Sequence, residues 1–193
     1  MGSGTGNDFN SQVLTTETWA SRATLAHARA LLGKVLVRTR AGRESARVIT
    51  EVEAYIGGSD LACHASRGRT RRTEVMYGPP GHWYVYLVYG MHEMLNLVTG
   101  PEGWPSAILI RGVAGASGPG RVTRSLVVGR ALNGKPAVRA SGLHIEDRGI
   151  LVPERLVTRT PRIGINYAGP VWASKPWRFM VDSAALGGAA ANS

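Results

Sequence analysis

HWYVYLVYGMHEMLNLVT, residues 82–99, reads as two strands folded back on a glycine. HWYVYLVY (82–89) is rich in aromatic and β-branched residues, and HEMLNLVT (92–99) returns after Tyr89-Gly90-Met91, where Gly90 tolerates the positive φ of a tight turn. PSAILIRGV (105–113) is a further strand beyond the Gly/Pro turn 100–105. Upstream, KVLVRT (34–39) and ARVITEVEAY (46–55) form an antiparallel hairpin across AGRES. Thr24 is expected to cap a short helix running through Leu32, with Gly33 stopping it. GPGRVTRSLVVGRAL starts as a turn and becomes a second helix, and short strands are expected near 143–152, 162–167 and 177–182. Helix, many strands, helix and strands again predict an α+β domain, not alternating βαβ units. The expected architecture is one domain over residues 14–182, with a strongly curved, mainly antiparallel, half-open barrel-like sheet flanked by short helices. Residues 1–13 and 183–193 read as disordered tails.

The bulk composition narrows the partners. The chain has 193 residues, 44% hydrophobic and 19% charged, an ordinary globular composition. Its formal net charge is +10, which favours an anionic partner such as nucleic acid, the ribosome or a membrane surface. Arginine outnumbers lysine 20 to 3, a ratio that codon bias alone can produce, so the total charge is the stronger argument. Cys63 is the only cysteine, which excludes an intramolecular disulfide and a cysteine-based zinc cluster and suits a reducing cytoplasm. MGSGTGNDFNSQ lacks a basic segment followed by an apolar run, so no signal peptide is expected. No apolar stretch approaches the roughly 20 residues of a membrane span.

The chemistry-bearing groups gather in EVEAYIGGSDLACHASRGRTRR, residues 51–72. Strand alternation puts Glu51, Glu53 and Tyr55 on one face, with Val48, Thr50, Val52 and Ala54 on the other. Alone, such a pattern is a solvated face opposite a packed one. Here a carboxylate and a tyrosine precede His64 and the arginines Arg67, Arg69, Arg71 and Arg72, a combination suited to a reactive pocket beside a phosphate grip. His64 alone would be a structural histidine, and Tyr84 reads as sheet core. Tyr89 differs, because a large aromatic at a hairpin tip has no core to fill. Asn96 and Arg111, taken singly, are ordinary hydrogen-bonding residues.

Taken in order, LLGKVLV (31–37), EVEAY (51–55), HASRGRT (64–70), MYGPPGHWYVYLVYGMH (76–92), Asn96, AILIRG (107–112), GPGRVT (118–123) and PRIGI…PWRF (161–179) resemble the alkyladenine (3-methyladenine) DNA glycosylase family. The resemblance covers nearly the whole chain outside the tails. It implies an enzyme that flips a damaged purine out of duplex DNA and hydrolyses its N-glycosidic bond, without a cofactor or a metal and as a monomer. A bacterial, cytoplasmic protein is implied, with 3-methyladenine the leading substrate and hypoxanthine and etheno-adenine further candidates. By the same resemblance Glu53 activates water and Arg111 supports it. Tyr55, His64 and Tyr86 wall the base pocket, Asn96 crowds the amino group of guanine, and Tyr89 fills the gap in the helix. Arg67, Arg69, Arg71, Arg72 and Arg121 are the expected DNA-backbone contacts. The chain departs from the family where Arg71-Arg72-Thr73 replaces Pro-Arg-Asn, at Glu93, and in the short segment 112–117.

Two other classes fit the same surface: a non-catalytic nucleic-acid-binding module, and an N-glycosidase acting on RNA or free nucleosides. Release of free base from alkylated duplex DNA separates the three.

Overall fold

One strand of 14 residues organises the molecule. The computed structural model describes residues 11–190. Its elements are β1 (Gln12–Val13), α1 (Thr24–Leu31), β2 (Val35–Arg40), β3 (Arg43–Ile56), β4 (Trp83–Val88), β5 (His92–Thr99), β6 (Ser106–Val113), β7 (Ala116–Ser117), α2 (Pro119–Ser125), β8 (Leu143–Asp147), β9 (Thr158–Thr160), α3 (Gly169–Ala173) and β10 (Arg178–Met180). The first half of β3 pairs with β2, from Val35↔Val48 to Arg40↔Arg43, and the second half pairs with β6, from Ile49↔Val113 to Ile56↔Ser106. The register shifts twice between Ile49 and Val52, a bulge that bends the strand where it changes partner. The sheet runs β1-β8-β2-β3-β6-β5-β4, antiparallel throughout and not closed, with β10 also pairing β3 and β9, and β7 pairing β6.

The core fills one side of this sheet. Val52, Ala54, Ile108, Ile110, Leu95 and Leu97 pack with Trp83, with Ala28 and Leu31 of α1, and with Val122 of α2. Burial at about 25 cal/mol per Å² of apolar surface makes this side the main source of stability. The other side carries a smaller cluster of Cys63, Met76, Tyr84, Val98 and Ala107, with Tyr55 and Tyr86 against it.

The structure sharpens several sequence expectations. The mixed, mainly antiparallel architecture is as expected, and the hairpin 83–99 falls where it was read. AGRES shrinks to Ala41-Gly42, because β3 starts at Arg43. Thr24 does not cap α1: it is buried, its hydroxyl lies 3.2 Å from that of Thr99, and the N-cap is Ala23. Gly33, at φ +84°, does stop the helix. Residues 162–167 form no strand: a bend and a 3₁₀ segment (Asn166–Ala168) stand there, and the strand lies earlier, at Thr158–Thr160. Within the stretches read as tails, Gln12–Val13 pair with Glu146–Asp147 and Ser183–Ala190 form a 3₁₀ segment. Residues 1–10 and 191–193 lie outside the described residues. The short segment after Arg111 is a tight hairpin, with Gly112 opposite Ser117 and Val113 opposite Ala116. Among the described residues, no helix is long and apolar enough to cross a membrane.

Candidate active site

Strand register places the site. Glu53 faces Leu109 on β6, Leu109 faces Asn96 on β5, and Asn96 faces Tyr84 on β4. On the other edge Glu53 faces Arg178 of β10. Directly opposite residues share a face, so Arg178, Glu53, Asn96 and Tyr84 line one row across the sheet, on the side away from the core. Tyr55 and Tyr86 extend this patch by one pleat each.

Both glutamates are buried, so the face is not a solvated one. Glu51 anchors two arginines: Nε of Arg111 donates to its Oε1 at 3.0 Å and Nε of Arg178 to the same oxygen at 2.6 Å. Gly112 makes room for it, since a Cβ there would stand 2.8 Å from Cβ of Glu51. Glu53 has no exposed surface and is held differently. Its Oε1 accepts the backbone N–H of Ile163 at 2.8 Å, its Oε2 accepts the Tyr55 hydroxyl at 2.8 Å, and Arg111 reaches it at 3.4–3.5 Å. Burial pushes its carboxyl up from the ordinary glutamate value, outweighing Arg111, the Ile163 amide and Tyr55, which pull it down. A buried carboxylate with raised basicity and fixed partners is suited to accepting a proton.

Beside it lies a small cleft walled by Tyr55, His64, Tyr84, Tyr86, Asn96 and Tyr167. The rings of His64 and Tyr86 stand edge to face, 4.6 Å between centroids and 71° apart, and Tyr84 and Tyr86 are 5.1 Å apart. His64 Nδ1 lies 3.0 Å from the Tyr84 hydroxyl. Burial, with Arg72 and Arg67 nearby, lowers the imidazole from 6.5 to about 4, so His64 is neutral at pH 7. Asn96 is buried and fixed, its Nδ2 donating to the carbonyls of Tyr84 at 3.1 Å and Met94 at 3.3 Å.

The arginines divide. Arg67, Arg71 and Arg121 are exposed. Arg69 is engaged by Glu74 through two bonds of 2.8 and 2.6 Å. Arg72 lies over the Tyr86 ring, 5.0 Å from its centroid, at the cleft wall. Tyr89 projects from the β4–β5 tip at 89% exposure, with φ +51° beside Gly90 at +70°. A tyrosine in left-handed backbone is uncommon, and the strain, of order 1–3 kcal/mol, clusters at functional sites.

Several site residues carry no local signal. Tyr84, read as core, is buried but lines the cleft. Tyr167, the Ile163 amide, Arg178 and the fully buried Arg162 arrive from more than a hundred residues away. Arg162 makes a two-armed ion pair with Asp60 at 2.6 and 2.9 Å and lies over the Tyr55 ring. The segments PRIGI and PWRF were the one available pointer to them.

Comparison with known proteins identifies the family. The sequence profile described as Methylpurine-DNA glycosylase (MPG) matches residues 18–185. Proteins named "Putative 3-methyladenine DNA glycosylase" are similar over most of the chain. One from Methanocella arvoryzae is 45% identical over 179 residues, covering 82% of this chain and 87% of its own. One from Myxococcus xanthus is 45% identical over 174 residues, covering 86% and 88%. One from Streptomyces avermitilis is 43% identical over 189 residues, covering 87% of each. The chain belongs to the methylpurine-DNA glycosylase family.

Proposed function

We propose that the protein is a DNA repair glycosylase that flips an alkylated purine, 3-methyladenine foremost, out of duplex DNA and hydrolyses its N-glycosidic bond. The observation that carries this is Glu53, buried and raised in basicity, next to an aromatic cleft on a strongly basic protein. Breaking the bond builds positive charge on the sugar, which a nearby carboxylate stabilises while taking a proton from the attacking water. Arg111 holds Glu51 and Glu53 together. Tyr55, His64 and Tyr86 receive the base, and a cationic purine is attracted to such electron-rich rings. His64, being neutral, adds no repelling charge.

Tyr89 fills the gap left by the flipped base. Arg67, Arg71 and Arg121 contact phosphates, and Arg69 and Arg72 join them when DNA displaces Glu74 and the Tyr86 stack. The reaction is monofunctional and needs no metal or cofactor, and the protein acts as a monomer. Of the three lysines, Lys34 pairs with Asp147 and Lys175 lies over Trp172 and Trp177; neither these nor Lys135 is in the cleft.

The test is to incubate purified protein with methylated duplex DNA in chelator and to follow free base and strand integrity. Release of 3-methyladenine without borohydride-trapped adduct supports the reading. Binding without release would make the protein a DNA-binding module, and release from nucleosides or RNA alone would make it a different glycosidase.

A further inference from the structure

Three arginines outside the damaged-base site gather on the β2–β3 hairpin. In the β2–β3 hairpin Arg40 stands directly opposite Arg43, and Arg38 opposite Ser45, so three guanidinium groups share one face. Like charges opposite each other on paired strands repel. Among the described residues no carboxylate relieves them: none of the three makes an ion pair, and the adjacent Glu44 is taken by Arg148 at 3.6 Å. Arg38 donates Nη1 to the carbonyls of Thr39 and Gly142, and its Nε is buried without a partner.

The end of α2 closes the other side. Ser125, Leu126 and Val127 face the arginines across an open cleft with no acidic residue in its lining. Val127 is half exposed at φ +49°, although it is β-branched and glycine is the usual residue where a helix ends this way. Backbone strain of this kind collects at functional sites.

The cleft is tied to the β4–β5 tip through α2. The helix starts against β5, where a Cβ on Gly120 would stand 3.0 Å from His92 Nδ1, and His92 pairs with Val88 at the base of the Tyr89 turn. The seven residues of α2 then carry the chain about 10 Å further, with Arg121 and Arg124 exposed along the way.

We propose that Arg38, Arg40 and Arg43, with the hydroxyls of Ser45 and Ser125, form a second phosphate-binding cleft that grips the backbone of the duplex flanking the lesion. Guanidinium forks match phosphate oxygens, and a phosphate between Arg40 and Arg43 turns their repulsion into shared attraction. This inference rests on the reading that the protein works on duplex DNA.

The test uses a labelled duplex with one central abasic-site analogue. One version has flanks of more than a helical turn, roughly 30 base pairs in all, and another, held double-stranded by an interstrand cross-link at each end, is trimmed to about two base pairs on each side. Binding is measured against salt for the native protein and for Arg40→Ser/Arg43→Ser. The variant should lower the slope of log K against log salt by about 1–2 on the long duplex, and match the native slope on the trimmed one. Arg40→Glu guards against misfolding, because it places opposite charges across the hairpin. It should melt no lower than the native protein and still lose slope on the long duplex. Equal slopes on the long duplex, or the same loss on both, overturn the cleft. Base release by the native protein is scored separately. A protein that releases base without the flank-dependent slope keeps the glycosylase reading and loses the cleft, and the reverse result does the opposite.

Discussion

The hydroxyl of Tyr55 donates to Oε2 of Glu53 at 2.8 Å, from two residues further along the same strand. This bond holds the carboxylate in one orientation and is among the groups that counter the effect of burial on its pKa. Burial nevertheless wins, and the group titrates above an ordinary glutamate. Only the ionised form can accept a proton, so kcat/KM should fall as pH drops through this raised value. Tyr55→Phe removes a lowering contribution and should move that acid limb upward. A pH–rate profile of both proteins checks the shift.

The same group sets a stability trade. Because the folded pKa of Glu53 lies above its unfolded value, the folded state holds the proton more tightly. Its contribution to stability is greatest below the unfolded value and is lost as pH rises through the folded one. Glu53→Gln, which removes this titration, should therefore gain in melting temperature relative to the native protein between acid and neutral pH. Parallel thermal melts at the two pH values measure it.

His64 titrates with the opposite sign. With its folded value near 4 against 6.5 for a free imidazole, its contribution is full above 6.5 and is lost as pH falls toward 4. Its ring proton resonances should therefore hold constant from pH 8 to about 5 in an NMR titration. Arg72→Ala removes one source of positive charge and should raise the imidazole's pKa.

Asn96 is fixed by two carbonyls and sits in the cleft wall. Removing it opens space without freeing its neighbours. Asn96→Ala should raise kcat/KM for guanine-type lesions relative to adenine-type ones by about tenfold or more. Competition between the two lesions in one reaction reads the ratio directly.

Tyr89 gives a prediction in which function and stability part. Its ring, inserted in the duplex, would replace stacking of about 1–3 kcal/mol, so Tyr89→Ser should lose up to roughly a hundredfold in lesion binding. Tyr89→Gly should lose as much while melting no lower, because glycine removes the strain at φ +51°. A 2-aminopurine beside the lesion reports the lost unstacking by fluorescence.

How much of this was legible depended on sequence distance. The 83–99 hairpin was readable because strand composition and a turn glycine are local signals. The shared face of Glu51, Glu53 and Tyr55 follows from strand periodicity alone. Its burial did not, because it depends on β10 and the 161–163 segment packing over it from the far end of the chain. The Ile163 contact is made by a backbone N–H in a bend, to which no side-chain pattern points. Thr24 looked like a cap because threonine favours that place, yet it is buried against Thr99, and tertiary contact overrode local preference. Tyr84 was read as core because burial and cleft-lining look alike in a strand of aromatics.

The central claim is that Glu53 takes the proton from the attacking water. Its most direct test is single-turnover release of 3-methyladenine from duplex DNA by Glu53→Gln at saturating enzyme. Glutamine keeps the size and can still accept from the Ile163 amide, but it is not a base. The account predicts a loss of several orders of magnitude, about 10²–10⁴-fold from the proton transfer alone, with lesion binding retained. Near-native release by Glu53→Gln would contradict it and would turn attention to Glu51.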